Sequence, residues 1–231
     1  MHHGGVYSTT PAVDVPAVDV VVPVKALGSA KSRLRGAADG GVGEAAAHAR
    51  LTLALAHDTI VAVRAAARVR NLVVVSSDAA VAAELAAVGV EVVPDEPEGG
   101  LNAAYAHGAA LLRSRAPGAA VAALQADLPA LQPQELDDAI ALFAASGAAR
   151  AFCADAEGSG TTLLLAAPGI DLAPRFGPGS AARHRAAGAV PLAGAWPGLR
   201  RDVDTSDDLR AAAEIGLGAH TSAVLAPTPG C

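Results

Sequence analysis

Three cations, Lys25, Lys31 and Arg33, fall within nine positions, in a loop that follows the apolar run 20–22. If that run is the first strand of an open parallel sheet, the loop lies at its carboxyl edge, where such sheets bind ligands. Three cations there could surround a triphosphate; a solvated basic loop is the plainer alternative. The loop has neither G-x-G-x-x-G nor G-x-x-x-x-G-K-[ST], so dinucleotide binding of the Rossmann kind and P-loop chemistry both lose their usual support.

A carboxylate, Asp127, follows a second apolar run at 120–124, and Pro129 just beyond it prevents an immediate helix. A carboxylate at a strand end suits magnesium, a hard cation that prefers oxygen and needs only one or two protein carboxylates when phosphate oxygens complete its shell. Capping of a turn is the alternative. In Asp202-Val203-Asp204 the alternation of an extended chain puts both acids on one side, and Asp204 is the chosen partner for Asp127. Two such carboxylates meeting at one sheet edge fit a one-metal or two-metal nucleotidyl transfer site. Asp207 and Asp208 read instead as first-turn caps of the helix that begins at Ser206.

Two glycine-containing loops add hydroxyls and accessible N–H groups, one around Gly160 and Thr162 and one running from Arg175 through Gly177 to Ser180. Ser180 is expected at a helix N-terminus, where an anion is favoured, although such loops are also ordinary turns. Gly99 and Gly100 precede a helix carrying Asn102 and could approach a base or ribose closely. The histidines show no metal-binding pair, and Cys153 in an apolar run reads as a small core residue.

These residues need a scaffold, and the chain supplies one. Its 231 residues fit one domain. With 52% hydrophobic and 17% charged residues it can bury a core, which must close on small side chains because about a quarter of the residues are alanine and only 3% aromatic. A net charge of −6 without a basic run argues against nucleic acid as a partner. The two cysteines cannot form a disulfide framework, and neither a signal peptide nor a membrane span is visible. A soluble cytoplasmic protein is expected.

Apolar runs at 18–22, 72–75, 91–93 and 120–124 predict strands, and alanine-rich stretches at 44–68, 79–88, 101–115 and 133–146 predict helices. The order is that of an α/β protein, a mainly parallel open sheet with helices on both faces. Strands at 150–154 and 162–165, a loop at 168–179, a short helix from Ser180, an extended segment ending near Val203 and a helix from Ser206 follow. Residues 1–17 and 219–231 are expected to be tails around a single domain, 18–218.

Taken together, PVKALGSAKSRL (23–34), GGLNAAYAHGA (99–109), ADLPAL (126–131), GTTLLL (160–165), RFGPGSAARH (175–184) and DVDTSDDL (202–209) carry a resemblance across nearly all of 18–218. The chain resembles the phosphoenolpyruvate and 2-phospho-L-lactate guanylyltransferases of deazaflavin coenzyme biosynthesis. The resemblance implies a nucleotide-diphospho-sugar-transferase-like fold and transfer of GMP from GTP to a phosphorylated three-carbon acid, with release of pyrophosphate. It puts Lys25, Lys31 and Arg33 on the GTP phosphates, with Lys25 and Asp127 catalytic. Gly99, Gly100 and Asn102 would lie near guanine or ribose, and Thr162, Gly177 and Ser180 near the acceptor. Asp127 and Asp204 would hold magnesium, and the transferase that consumes the product is implied as a partner.

Phosphoenolpyruvate is the expected acceptor, with 2-phospho-L-lactate or 3-phosphoglycerate as alternatives. A non-catalytic nucleotide-binding module on the same fold is a second class of function. A nicotinamide-dependent oxidoreductase is a third, disfavoured by the missing glycine fingerprint.

Overall fold

The computed structural model describes residues 17–27, 31–96 and 99–226. Strands β1 (Val18–Pro23), β2 (Val69–Val75), β3 (Glu91–Val93) and β4 (Ala120–Leu124) alternate with helices α1 (Ala45–Ala65), α2 (Ala79–Ala87) and α3 (Leu101–Arg115). Helix α4 (Pro133–Ser146) leads to β5 (Arg150–Ala154) and β6 (Thr161–Ala166), then α5 (Ser180–Ala186), β7 (Val190–Pro191), α6 (Pro197–Arg200), α7 (Ser206–Ile215) and α8 (Ala219–Leu225). The strands form one sheet in the order β3-β2-β1-β4-β6-β5-β7. Only β6 runs against its neighbours, so the expected mainly parallel α/β sheet is what forms.

β1 is buried along its whole length because helices cover both faces, and its valines alternate between two apolar clusters. Val20 and Val22 join residues of α1 and α4 on one face, and Val21 joins residues of α3 on the other. The small-residue packing expected from composition is tightest at Gly108 of α3. A Cβ there would come within 2.3 Å of Val21 Cγ2, so the helix lies close on the sheet only because this position is glycine.

From β1 the chain winds outward through β2 to β3, then returns through α3 to β4 on the other side of β1. The reversal opens a crevice outside the carboxyl ends of β1 and β4, the topological switch point of an open α/β sheet. The loops after those two strands carry Lys25, Lys31 and Asp127.

Several stretches differ from expectation: β2 begins at Val69 rather than 72, and the segment expected to be extended as far as Val203 contains helix α6. α1 stops at Ala65, short of 68, because the buried Asp137 carboxylate accepts the N–H groups of Ala67 (2.9 Å) and Arg68 (2.7 Å) and draws the chain into β2. The tail expected from 219 is instead helix α8 as far as Leu225, seated on α1. Its N-terminus is capped from far away: Asp58 of α1, itself buried, accepts from His220 N (2.9 Å) and Thr221 N (2.8 Å). Gly218 permits the approach, since a Cβ there would collide with Asp58. The expected tail residues 1–16 and 227–231 lie outside the described residues. Among the described residues, no helix is long and apolar enough to cross a membrane.

Candidate active site

A cleft of about 260 Å³ opens at the switch point, lined by Lys25 and Lys31 from the loop after β1, Gln125 to Asp127 after β4, and Asp202 and Asp204 before α7. Thr52, Leu55 and Ala56 of α1 form its floor, and Leu101 at the start of α3 contributes to its wall. That volume is just under the roughly 300 Å³ at which small-molecule sites begin.

The centre of the cleft is an ion-pair triad. The Lys31 ammonium contacts Asp127 Oδ2 and lies 2.6 Å from Asp204 Oδ1. Burial works to lower the lysine's pKa, but the two carboxylates outweigh it and hold the ammonium above its ordinary value. Asp127 is largely buried, and its Oδ1 accepts no hydrogen bond. A buried carboxylate oxygen without a donor is costly unless something else satisfies it. Asp202, beside the triad, has its carboxyl pushed up to about 7, first by burial and then by Asp127 and Asp204, with Lys31 opposing.

The hard oxygens here fit a divalent cation. One oxygen of Asp127 is open, Asp204 is exposed, and a lysine already serves as the cation between them. Asp202 also belongs to a second group that could hold a metal ion, in which it, Asp155 and Glu157 bring one oxygen each within 4.8 Å of one another. There, however, Asp155 already accepts from Ser159 N (2.8 Å) and Gly160 N (2.6 Å), and Glu157 pairs with Arg201 at 2.8 Å.

Of the residues singled out from the sequence, Lys25, Lys31, Asp127 and Asp204 meet in the cleft, as does Asp202, which had been set second to Asp204. The others do not line it. Arg33 stands exposed on a 3-10 turn, Ser32–Leu34. Gly99 and Gly100 lie exposed just before α3, with Gly100 at its N-cap.

Asn102, expected near the nucleotide, turns its whole amide to the loop before α5: Oδ1 accepts from Phe176 N (2.7 Å) and Nδ2 donates to Phe176 O (3.1 Å). Thr162 is fully buried in β6; its carbonyl accepts from Gln125 N (2.9 Å), but its own side chain does not line the cleft. Ser180 does begin a helix, but it is buried, and its N–H and that of Ala181 already bond to Gly177 O (3.0 Å) and Ser159 O (3.1 Å). Gly177 adopts φ 118° in the same loop, close to the Arg183 guanidinium.

That loop is braced by residues the sequence did not single out. His184 Nε2 accepts from Arg175 N at 2.9 Å, so the ring proton sits on Nδ1 and donates to Thr161 Oγ1, also at 2.9 Å. Burial, then Arg183 and Arg175, lowers the His184 pKa to about 4, which keeps this neutral form. Phe176 stacks on Tyr105 with ring centroids 4.2 Å apart, and the Tyr105 hydroxyl donates to Leu124 O (3.0 Å) at the end of β4. Asp78 caps α2 and accepts from Leu27 N at 2.9 Å, tethering the cationic loop. Cys153 is a buried core residue whose thiol pKa burial pushes up to about 11.

Comparison with known proteins places this geometry among relatives. Residues 46–193 match the MobA-like NTP transferase domain. The chain is 55% identical to the phosphoenolpyruvate guanylyltransferase of Geodermatophilus obscurus over 92% of this chain and 96% of that one. It is 54% identical to the Streptomyces coelicolor protein of the same name, over 90% and 95%. A nucleotidyl transferase from Methanothermobacter has a similar fold, with a TM-score of 0.57 at 20% identity over 86% of this chain and 97% of that one. So does Mycobacterium tuberculosis Rv0371c in complex with manganese, at 0.51 and 22% over 86% and 99%.

Proposed function

The chain belongs to the phosphoenolpyruvate guanylyltransferase family and is a nucleotidyltransferase, and from that premise we propose that it transfers GMP from GTP to the phosphate of phosphoenolpyruvate, releasing pyrophosphate, as a cytoplasmic enzyme of deazaflavin coenzyme biosynthesis. One observation carries the reading: at the switch-point edge, Asp127 and Asp204 share a buried lysine while Asp127 Oδ1 accepts nothing.

A phosphate oxygen of the acceptor attacks the α-phosphorus of GTP in line, a new P–O bond forms, and the bond to the bridging oxygen of the β-phosphate breaks. The acceptor phosphate is ionised near neutral pH, so the attack needs no general base. The obstacle is repulsion between two anions, and the answer is positive charge fixed in advance. Lys25 supplies it on the cleft wall and stabilises the leaving pyrophosphate, with Arg33 adding charge from the rim. Lys31, paired with Asp127 and Asp204, would turn to the phosphates when a cation takes its place between those carboxylates. Asp127 and Asp204 would hold magnesium, which would supply further positive charge against the phosphates. Gly99 and Gly100 let the backbone approach the nucleoside. Gly177, with Thr162 and Ser180 behind it, shapes the acceptor's side, and Asn102 fixes that loop rather than touching the base.

The test is pyrophosphate release from GTP and magnesium with phosphoenolpyruvate, 2-phospho-L-lactate or 3-phosphoglycerate supplied separately, the product-consuming transferase being present to draw the reaction forward. Release with phosphoenolpyruvate alone is expected. Release with only one of the others reassigns the acceptor, and release with none of them overturns the reading.

A further inference from the structure

The direction in which a side chain leaves the backbone is set by the two peptide planes on either side of its Cα. For Asp127 both planes are gripped. The plane before it carries Ala126 C=O, which accepts from Thr59 Oγ1 at 3.1 Å. The plane after it carries Leu128 N–H, which donates to the same Thr59 oxygen at 2.9 Å, and Asp127 C=O, which accepts from Val203 N at 3.0 Å. One hydroxyl therefore sits between the two flanks of the turn around Asp127, accepting from Leu128 N–H on one side and sharing its single proton between Ala126 O on the other and Leu55 O of its own helix. Val203, between Asp202 and Asp204, ties the second acidic segment to the same peptide.

Thr59 has no exposure to solvent. It lies on α1 one turn beyond Leu55 and Ala56, which line the cleft, so the face of the helix that forms the cleft floor also reaches under the metal-binding turn. A threonine in a helix commonly donates to the carbonyl four residues back, and Thr59 Oγ1 does lie 3.0 Å from Leu55 O. A purely local role would end there. The bonds to Ala126 and Leu128, 67 and 69 positions away, do not serve the helix.

We infer that Thr59 is the positioning residue for Asp127, and through it for the divalent cation that Asp127 and Asp204 would hold. This inference rests on the proposed nucleotidyl transfer for its consequence in turnover, but not for its consequence in metal binding. Residues that orient a metal ligand without touching the metal typically account for about 10-fold to 100-fold in affinity.

The experiment compares wild type, Thr59→Val and Thr59→Ser. Valine keeps the branched shape and removes the hydroxyl; serine keeps the hydroxyl. Mn2+ binding to the substrate-free protein is measured from the electron paramagnetic resonance signal of free ion, with thermal melts alongside. Thr59→Val is expected to weaken Mn2+ binding by about tenfold or more and to raise the Mg2+ concentration needed for half-maximal pyrophosphate release in step. Thr59→Ser is expected to stay within about twofold of wild type in both.

Wild-type Mn2+ affinity in Thr59→Val, even with a lowered melting temperature, would make the residue a structural brace and overturn the inference. So would a wild type that binds no Mn2+. If wild type binds Mn2+ but releases pyrophosphate with no acceptor, the proposed reaction fails while the Mn2+ series still decides the role of Thr59.

Discussion

The two ends of the central strands use carboxylates in opposite ways. Near the amino end of β1, Asp19 is fully buried, and its two oxygens accept three bonds, from Arg70 Nε (2.9 Å) and Nη2 (2.6 Å) and from Asn71 Nδ2 (2.9 Å). Beyond the carboxyl end of β4, Asp127 is partly buried, gives one oxygen to Lys31 and leaves the other, itself buried, without a donor. Asp58, Asp137 and Asp155 follow the pattern of Asp19, each with both oxygens taken by backbone N–H groups. A buried carboxylate that the protein satisfies completely is a brace; one that it leaves open is a place for a ligand.

The comparison breaks most sharply at Asp127. Asp127→Asn should lower turnover on the order of 1,000-fold, because charge in the reacting region is lost, while stability falls less than in Asp19→Asn, since Lys31 keeps Asp204 as a partner. Pyrophosphate release and a thermal melt measure the two effects, and an unchanged rate at saturating magnesium would remove Asp127 from the site. Asp19→Asn should do the reverse. Breaking this pair is expected to lower stability by about 2–3 kcal/mol in urea unfolding, toward the low end for a buried pair because Arg70 is partly exposed. The rate per folded molecule should not change.

A third test extends the contrast from acids to a base. His184 has both ring nitrogens engaged within the protein and a pKa lowered to about 4. The unfolded chain takes up this proton near pH 6.5, so the stabilisation is complete above that pH and is lost progressively as pH falls toward about 4. Urea unfolding across pH 4–7 should show a loss on the order of 2 kcal/mol in wild type that is reduced in His184→Gln. Turnover per folded molecule should not follow it.

The smallest expected effect falls on the acceptor side. Asn102→Ala frees the Phe176 backbone and should raise KM for the acceptor about tenfold, the equivalent of one or two hydrogen bonds, with KM for GTP within about twofold. The opposite split would return Asn102 to the nucleotide.

Asn102 also shows where the sequence stops being readable. Apolar runs and alanine-rich stretches located the strands and the longer helices to within a few residues, because the helix and strand repeats are local properties. The partner of Asn102 is 74 positions away and nothing around it in the chain points there. Helix α8 was hidden for the same reason, its cap lying 162 positions back at Asp58. Lys25, Lys31, Asp127 and Asp204 could be named because their residue types suit phosphate and metal chemistry, and the family resemblance joined them. Thr59 gave no such signal, being one of two threonines in an alanine- and leucine-rich helix.

The pair of Lys31 with Asp204 spans 173 positions. During synthesis the cationic loop and Asp127 leave the ribosome well before Asp204 exists, and at roughly 5–20 residues per second the chain waits several seconds for its last carboxylate. Until then Lys31 has only Asp127 to hold. A chain ended before Asp204 can therefore complete the central strands and still lack one side of the Lys31 ion-pair triad.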